Sequence, residues 1–293
     1  MIHVDELPVQ VKKYTDGSLE ITNSGEIHKS ILDSSDKFIN VTANIKSSDD
    51  LLALILVKGI IDRSNSIFKY PCVLKLPYVP YMRSDRAMNE YSDVGGLKII
   101  SPVINNLNFD SVVVFDPHSD VTEALIKNIR IVSQHEGIGH FQTQHKGVFD
   151  KYDFVVSPDA GALKKVAKCA KTLSKPHIEA FKEREINTNK ILRTSVNANK
   201  EDLEGKSVLI IDDILEYGTT VRELAKTLKE DYGVANIGVY VTHAVLPLNL
   251  RESPASHTSF ILDYLDNIYG YFWWPECSEK EVPEQALYLN LFH

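Results

Sequence analysis

Val208-Leu209-Ile210-Ile211-Asp212-Asp213-Ile214-Leu215-Glu216-Tyr217-Gly218-Thr219-Thr220 is the stretch on which the reading of the fold turns. The unbroken apolar run from Val208 to Ile211 predicts a strand buried on both faces, the pattern of a parallel sheet covered by helices. The run ends in two carboxylates, a short loop follows, and Gly218-Thr219-Thr220 opens a helix. In an open α/β sheet, ligands bind at the carboxyl ends of the strands. A helix N-terminus there offers unpaired backbone amides and a positive dipole end to a phosphate. Thr219 and Thr220 add hydroxyl donors. Asp212 and Asp213 would repel a phosphate, so their natural partners are vicinal sugar hydroxyls or a metal ion, and the combination suggests a sugar phosphate. Aspartate and threonine also cap helices, so the motif alone leaves a structural reading open.

On either side the same plan repeats. Strands are expected at Phe38 to Val41, Pro71 to Leu76 and Val112 to Phe115, with helices near Ser48 to Asp62 and Val94 to Leu107. A second series runs Phe154 to Ser157, a helix near Ala162 to Leu173, Ser207 to Ile211, a helix near Thr220 to Asp231, then Ile237 to Thr242. These alternations predict an α/β protein of two halves, each a mainly parallel sheet flanked by helices. The stretch Ser133 to Lys151, rich in His, Gln and Gly, is the expected connection, and divides the chain into residues 1–135 and 136–293. Phe181 to Glu204 is polar with no apolar period and reads as a long loop, a kind of segment that is usually functional or disordered.

Composition narrows the function. With 293 residues, 43% apolar and 25% charged, the chain is expected to be globular rather than disordered or collagenous. Its longest unbroken apolar run, Leu51 to Val57, falls short of the roughly 20 residues of a membrane helix. The start Met1-Ile2-His3-Val4-Asp5-Glu6 lacks a basic leader, so a cytoplasmic protein without membrane partners is expected. The 3 cysteines, Cys72, Cys169 and Cys277, are far apart and argue against structural disulfides and zinc ribbons. A net charge of -8 without a basic run argues against nucleic acid. His135-Glu136-Gly137-Ile138-Gly139-His140 hints at a zinc-protease helix, but the histidines are one residue too far apart and two glycines oppose a helix. The aromatic cluster Tyr269, Tyr271, Phe272, Trp273 and Trp274 is expected to serve core or subunit packing.

The Asp212 to Thr220 segment resembles the phosphoribosyl pyrophosphate (PRPP) loop of the type I phosphoribosyltransferase fold. Further segments narrow the resemblance to the ribose-phosphate pyrophosphokinase (PRPP synthetase) family. They are Leu76 to Arg86, similar to a Pro-Tyr-x-x-Tyr-x-Arg-x-Asp-Arg segment, and Val114-Phe115-Asp116-Pro117-His118, similar to an Asp-x-His after a strand. Val156-Ser157-Pro158-Asp159-Ala160-Gly161 and Lys182-Glu183-Arg184 follow in the family's order, and the resemblance runs from about Lys12 to His243. It implies two associated phosphoribosyltransferase-type domains sharing one active site, with the last residues packing back on the first domain. The implied reaction is transfer of the diphosphate of magnesium-ATP to the anomeric hydroxyl of ribose-5-phosphate, with release of AMP.

The resemblance also assigns roles. Arg83, Asp85, Arg86 and His118 contact ATP, as do Tyr14 and Asp16 in a loop that reaches the ATP site of a neighbouring subunit, so a homo-oligomer is expected. His118 and Asp159 stand at the Mg2+ ion, Lys182 and Arg184 at the transition state, Asp212 and Asp213 at the ribose hydroxyls, and Glu216, Tyr217, Gly218, Thr219 and Thr220 around the 5'-phosphate. The residue types suit these tasks. Moving a diphosphoryl group is a matter of positioning and charge neutralisation, and arginine forks match phosphate or stack on adenine. Arg83 and Arg86 could equally pair with Asp85 at the surface, Asp159 could cap the next helix, and Lys182 to Glu185 could be a solvated charged run.

Some positions depart from the family. Glu216-Tyr217-Gly218-Thr219-Thr220 stands where Asp-Thr-Gly-Gly-Thr is usual, which points to an acceptor whose 5-phosphate is extended, ADP-ribose being the natural candidate. That acceptor would move the chain from nucleotide biosynthesis towards NAD metabolism. Ser18 replaces a glutamate of the Tyr14 loop, the family's first strand and helix are not recognisable before it, and its regulatory segment is not recognisable after His243. The rival expectations are a phosphoribosyltransferase, which consumes PRPP, and a catalytically silent relative that regulates or scaffolds a true synthetase.

Overall fold

Continuous burial of Val208 to Ile211, all at 0% exposure, is the signature of a strand sandwiched between helices. The protein is described by a computed structural model covering residues 1–34, 37–86, 95–184, 191–245, 263–273 and 286–289, with the side chains of residues 182–184, 191–193 and 273 left aside. It divides into two compact units, Met1–Val132 and Ser133–His293.

The first unit begins with β1 (Ile2–Val4), β2 (Leu7–Pro8), and the hairpin β3 (Val11–Lys13) and β4 (Leu19–Ile21). There follow α1 (Ser24–Asp33), β5 (Ile39–Ala43), α2 (Ser48–Ser64), β6 (Cys72–Leu76), α3 (Gly96–Asn106), β7 (Ser111–Phe115), α4 (Val121–Leu125) and β8 (Ile129–Val132). Its sheet runs β2-β1-β5-β6-β7-β8, with β5 to β8 parallel and β1 and β2 added antiparallel at one edge. The strands β1 and β2, ahead of the Tyr14 hairpin, are not among the elements expected from the sequence. Their short lengths, 3 and 2 residues, gave no period to read. A capping box starts α2: Ser47 N donates to Asp50 Oδ2 at 2.9 Å and Asp50 N to Ser47 Oγ at 3.1 Å.

The second unit contains α5 (Gln134–Gln144), β9 (Phe154–Ser157), α6 (Leu163–Thr172), β10 (His177–Arg184), β11 (Ile191–Val196) and α7 (Lys200–Leu203). It continues through β12 (Ser207–Leu215), α8 (Thr219–Glu230), β13 (Asn236–Ala244), β14 (Asn267–Trp273) and β15 (Ala286–Tyr288). The sheet order is β11-β10-β9-β12-β13-β14-β15, parallel throughout except for β11. The core is formed by the apolar faces of β9, β12 and β13 with Val221, Leu224, Ala225 and Leu228 of α8.

Three expectations for this unit are corrected. Ser133 to Lys151 is not a bare connection: most of it is α5, and its glycines are there for contact. A Cβ on Gly137 would stand 3.3 Å from Tyr240 Oη, and one on Gly139 3.3 Å from Thr172 Cγ2. Close packing on β13 and α6 outweighs the helix-propensity penalty of about 1 kcal/mol per glycine. The expected loop from Phe181 to Glu204 contains, among the described residues, an antiparallel ribbon and the short α7. The first residues of β10 pair in parallel with β9, then Ala180 to Arg184 pair with β11, with a register shift between Glu183 and Arg184. Ile178 and Ala180 of β10 and Val196 of β11 join the core, and backbone pairing holds the strands where the sequence shows no sustained apolar period. Finally, β12 continues past Ile211 to Leu215, because β13 pairs with it as far as Leu215↔Ala244.

The aromatic cluster is core, as expected. Tyr269, Tyr271 and Phe272 are buried, and Tyr269 meets Phe149 edge-on with ring centroids 5.1 Å apart. Trp274 and the Trp273 side chain lie outside the described residues, as do residues 185–190, the start of the expected helix at Val94, and the chain after residue 289.

Candidate functional site

In the second unit the site is built on β12 and the strands beside it. Asp212 and Asp213 lie within the extended end of β12, half-buried, rather than after it. Asp213 N donates to Asp212 Oδ1 at 2.9 Å, and Gln134 Nε2 donates to the Asp212 carbonyl at 2.7 Å. Lys165 Nζ on α6 stands 3.8 Å from Asp213 Oδ2. The chain then turns through Glu216 and the 59% exposed Tyr217 to Gly218, whose φ of 68° is left-handed. Glycine adopts that conformation without strain. Gly218 is the N-cap of α8 and supplies no side chain to its amides, so the first turn of Thr219 and Thr220 presents donors and the dipole end outward. Two carboxylates and a helix N-terminus without a side-chain cap thus follow one another along a single strand, loop and helix.

Asp159 follows β9 and is half-buried. Its Oδ1 accepts from Ala162 N at 3.1 Å and holds the turn before α6, whose N-cap is Ala162. The backbone of Lys182 and Arg184 belongs to β10, paired opposite Thr194 and Ile191; their side chains lie outside the described residues.

In the first unit, the residues after β6 fold back on the start of α3. Leu97 N donates to Ser84 O at 3.1 Å and Gly96 N to Ser84 Oγ at 3.0 Å. Gly96 is needed there, since a Cβ would stand 2.5 Å from Tyr81 Cδ1. This turn leaves Arg83 and Arg86 exposed and Asp85 half-buried. After β7, Asp116 is buried with φ 39°, an unusual conformation for which aspartate is among the better residues, and it turns the chain so that His118 is exposed. Ser119 Oγ donates to Asp85 Oδ2 at 2.5 Å, so the arginine-bearing turn and the His118 turn are joined.

Tyr14 and Asp16 sit at the tip of the β3–β4 hairpin. Asp16 Oδ1 accepts from Ser18 N at 3.0 Å and from Ser18 Oγ at 2.7 Å, and the hydroxyl bond first, the amide second, hold its carboxyl below the usual value. Tyr14 bonds Glu20, which raises its phenol, while Lys12 Nζ lies 4.7 Å from its ring centroid. The serine that departs from the family pattern therefore orders the turn that holds Asp16.

Sequence reasoning missed Ser119, Lys165 and Gln134. Ser119 adjoins a recognised motif and was findable by proximity. Lys165 and Gln134 act across the fold and carried no local signal. The histidines of the rejected protease pattern point to different partners, His135 Nδ1 to Ser133 Oγ at 2.7 Å and His140 Nδ1 to Tyr271 Oη at 3.0 Å. Among the described residues no group of three or more His, Cys, Asp or Glu converges as a metal cage.

The family model of the phosphoribosyl transferase domain matches residues 134–259. The chain is 28% identical over 238 residues to a ribose-phosphate pyrophosphokinase of Pyrococcus furiosus, covering 81% of this chain and 78% of that one. It is 26% identical over 210 residues to ribose-phosphate pyrophosphokinase 2 of Archaeoglobus fulgidus, covering 71% and 69%. Among solved structures, phosphoribosylpyrophosphate synthetase from Mycobacterium smegmatis shares the fold, with a TM-score of 0.72 at 17% identity over 97% of this chain and 86% of that one. The similarity extends well beyond the matched domain into the first unit, where the arginine and histidine turns lie, so that over most of its length the chain is similar to ribose-phosphate pyrophosphokinases.

Proposed function

We propose that the protein transfers the β,γ-diphosphate of magnesium-ATP to the anomeric hydroxyl of a ribose 5-phosphate group and releases AMP. The anomeric oxygen forms a bond to the β-phosphorus, the bond from that phosphorus to the oxygen bridging the α-phosphate breaks, and the hydroxyl proton passes to solvent. The observation that carries this reading is the succession on β12 and α8: Asp212 and Asp213 in the strand end, then Gly218 left-handed at an N-cap that leaves the amides of Thr219 and Thr220 for an anion. The pyrophosphokinases to which the chain is similar over most of its length support it.

Each part of the chain has a task. Asp212 and Asp213 accept the ribose hydroxyls and orient the anomeric oxygen, and Gly218 to Thr220 hold the 5-phosphate. Arg83, Asp85 and Arg86 bind the nucleotide with His118, and Tyr14 stacks on its base beside Asp16. Lys182 and Arg184, from the β10–β11 ribbon, offset charge on the phosphoryl oxygens. The donors also fit magnesium, which favours oxygen ligands and is commonly held through one or two carboxylates plus substrate phosphates rather than in an all-protein cage. Asp159, a hard oxygen donor at a strand end, and the exposed His118 would hold it, and the ion supplies neutralisation of the phosphate charge. The protein works as a homo-oligomer in which the Tyr14 hairpin reaches a neighbouring copy's nucleotide.

The acceptor is a ribose whose 5-phosphate is extended, ADP-ribose being the candidate. The exposed Tyr217 ring and the longer Glu216 occupy positions where small groups would close around a terminal phosphate. The test is incubation with magnesium-ATP and, separately, ribose-5-phosphate or ADP-ribose, following AMP and products by mass spectrometry. Transfer to ADP-ribose in preference supports both parts of the reading. Turnover of ribose-5-phosphate with none of ADP-ribose removes the extended acceptor, and AMP from neither supports a non-catalytic role.

A further inference from the structure

β12 runs past the end of its neighbour on one side. β9 pairs with it only through Val208, Leu209 and Ile210, whereas β13 accompanies it to Leu215. The acid pair therefore lies in a length of strand that β9 does not reach. A single backbone acceptor in that length, the Asp212 carbonyl, receives the Gln134 side-chain amide at 2.7 Å, from a residue 78 positions earlier. Gln134 is 3% exposed, in the first turn of α5, where Ser133 N donates to Glu136 Oε2 at 2.8 Å and fixes the start of the helix. The other end of the amide is also engaged: Gln134 Oε1 accepts from Cys169 Sγ at 3.7 Å. Cys169 belongs to α6, the helix whose Lys165 reaches the Asp213 carboxylate.

We infer that Gln134 is a positioning residue for the ribose site: its amide takes the place of the missing strand and holds the Asp212–Asp213 backbone in register for the acceptor's hydroxyls. A buried glutamine is expensive to desolvate unless both ends of its amide are bonded, and an apolar residue would fill the same space. What an apolar residue cannot supply is the donor to the Asp212 carbonyl. Without it, a strand end carrying two like charges is tied on one side only and is free to shift. Gln134 acts through the backbone, so it governs the geometry of acceptor binding and leaves nucleotide binding alone.

This inference rests on the proposed acceptor role of Asp212 and Asp213, and the experiment separates the two. Gln134→Met keeps length and packing and removes the donor; Gln134→Asn keeps the amide and leaves it one methylene short; Phe141→Leu, in the same helix and fully buried, perturbs packing without touching Asp212. For each, the KM of the acceptor, the KM of ATP and kcat are measured beside hydrogen exchange of the Asp213, Ile214 and Leu215 amides. Both Gln134 variants are expected to raise the acceptor KM roughly ten-fold, in line with a buried acceptor left without its donor. The ATP KM stays near the parent value, exchange at 213–215 quickens, and Phe141→Leu does neither. An unchanged acceptor KM, or the same rise in Phe141→Leu, overturns the inference. If the parent protein turns over neither acceptor, the functional reading fails and exchange alone decides: quickening in both Gln134 variants supports the clamp, and equal rates overturn it.

Discussion

Lys165 Nζ lies 3.8 Å from Asp213 Oδ2 and ties α6 to the acid pair of β12. With the lysine 32% and the aspartate 12% exposed, the pair adds little to stability, about 0–1 kcal/mol. In the proposed function its effect is on where the carboxylate points and how strongly it repels an incoming phosphate. Lys165→Met is expected to shift the melting temperature by no more than a few degrees, about 2–4 °C, while acceptor KM rises several-fold. Thermal melts and steady-state kinetics on one preparation check this; a large melting shift with unchanged acceptor KM contradicts it.

Lys182→Ala is expected to lower AMP release by roughly 10²–10³-fold, the usual loss when a donor to transition-state charge is removed. ATP binding, followed by equilibrium dialysis, is expected to survive. An unaffected rate sinks the role given to the β10–β11 ribbon.

Gly238 in β13 is a close-approach position. A Cβ there would stand 2.1 Å from Tyr152 Oη, and Tyr152 is buried with its hydroxyl 3.0 Å from Tyr269 Oη. Gly238→Ala is expected to destabilise by about 3 kcal/mol in urea unfolding, with partial recovery when Tyr152→Phe is added. Equal stability of Gly238→Ala and the parent rules out this packing.

Gly59 is the opposite case. It lies inside α2 with nothing within 4 Å of its would-be Cβ. Gly59→Ala is expected to stabilise by about 1 kcal/mol through helix propensity and a less flexible unfolded chain. A melting temperature that falls contradicts open space at that face.

Cys72 is buried, and burial, the largest cause, pushes its thiol from 9.0 up to about 12. The native thiol is therefore neutral at pH 8 and is expected to resist iodoacetamide until the chain is unfolded, as peptide mapping would reveal. The sign follows from the raised value: the unfolded thiol ionises first, so this contribution is complete below pH 9 and is lost as pH rises towards 12. Rapid native labelling at Cys72 contradicts the burial.

Most of the site was legible because its parts are local. Continuous apolar runs announced β9, β12 and β13, and Asp212 to Thr220 held strand end, glycine turn and helix start in one stretch. The residues after β6 and β7 carried their arginines and histidine in short motifs. What stayed hidden has no local period. Gly137 and Gly139 argue against a helix until Tyr240 and Thr172 are seen pressing against α5. The β10–β11 ribbon is held by pairing between strands, and the buried Ile178, Ala180 and Val196 are too few to make an alternation readable in the sequence.

The order of apolar runs and charged strand ends, set by the sequence alone, determined an α/β fold in two halves and the residue types at each strand end, because burial periods and turn chemistry act over a few neighbouring residues. Only the tertiary structure decided how far β12 extends, that Ser119 joins Asp85 to the His118 turn, and that Gln134 supports Asp212. Those contacts cross 34 and 78 positions of chain, and a hydrogen bond between such distant partners leaves no mark on either residue's neighbours.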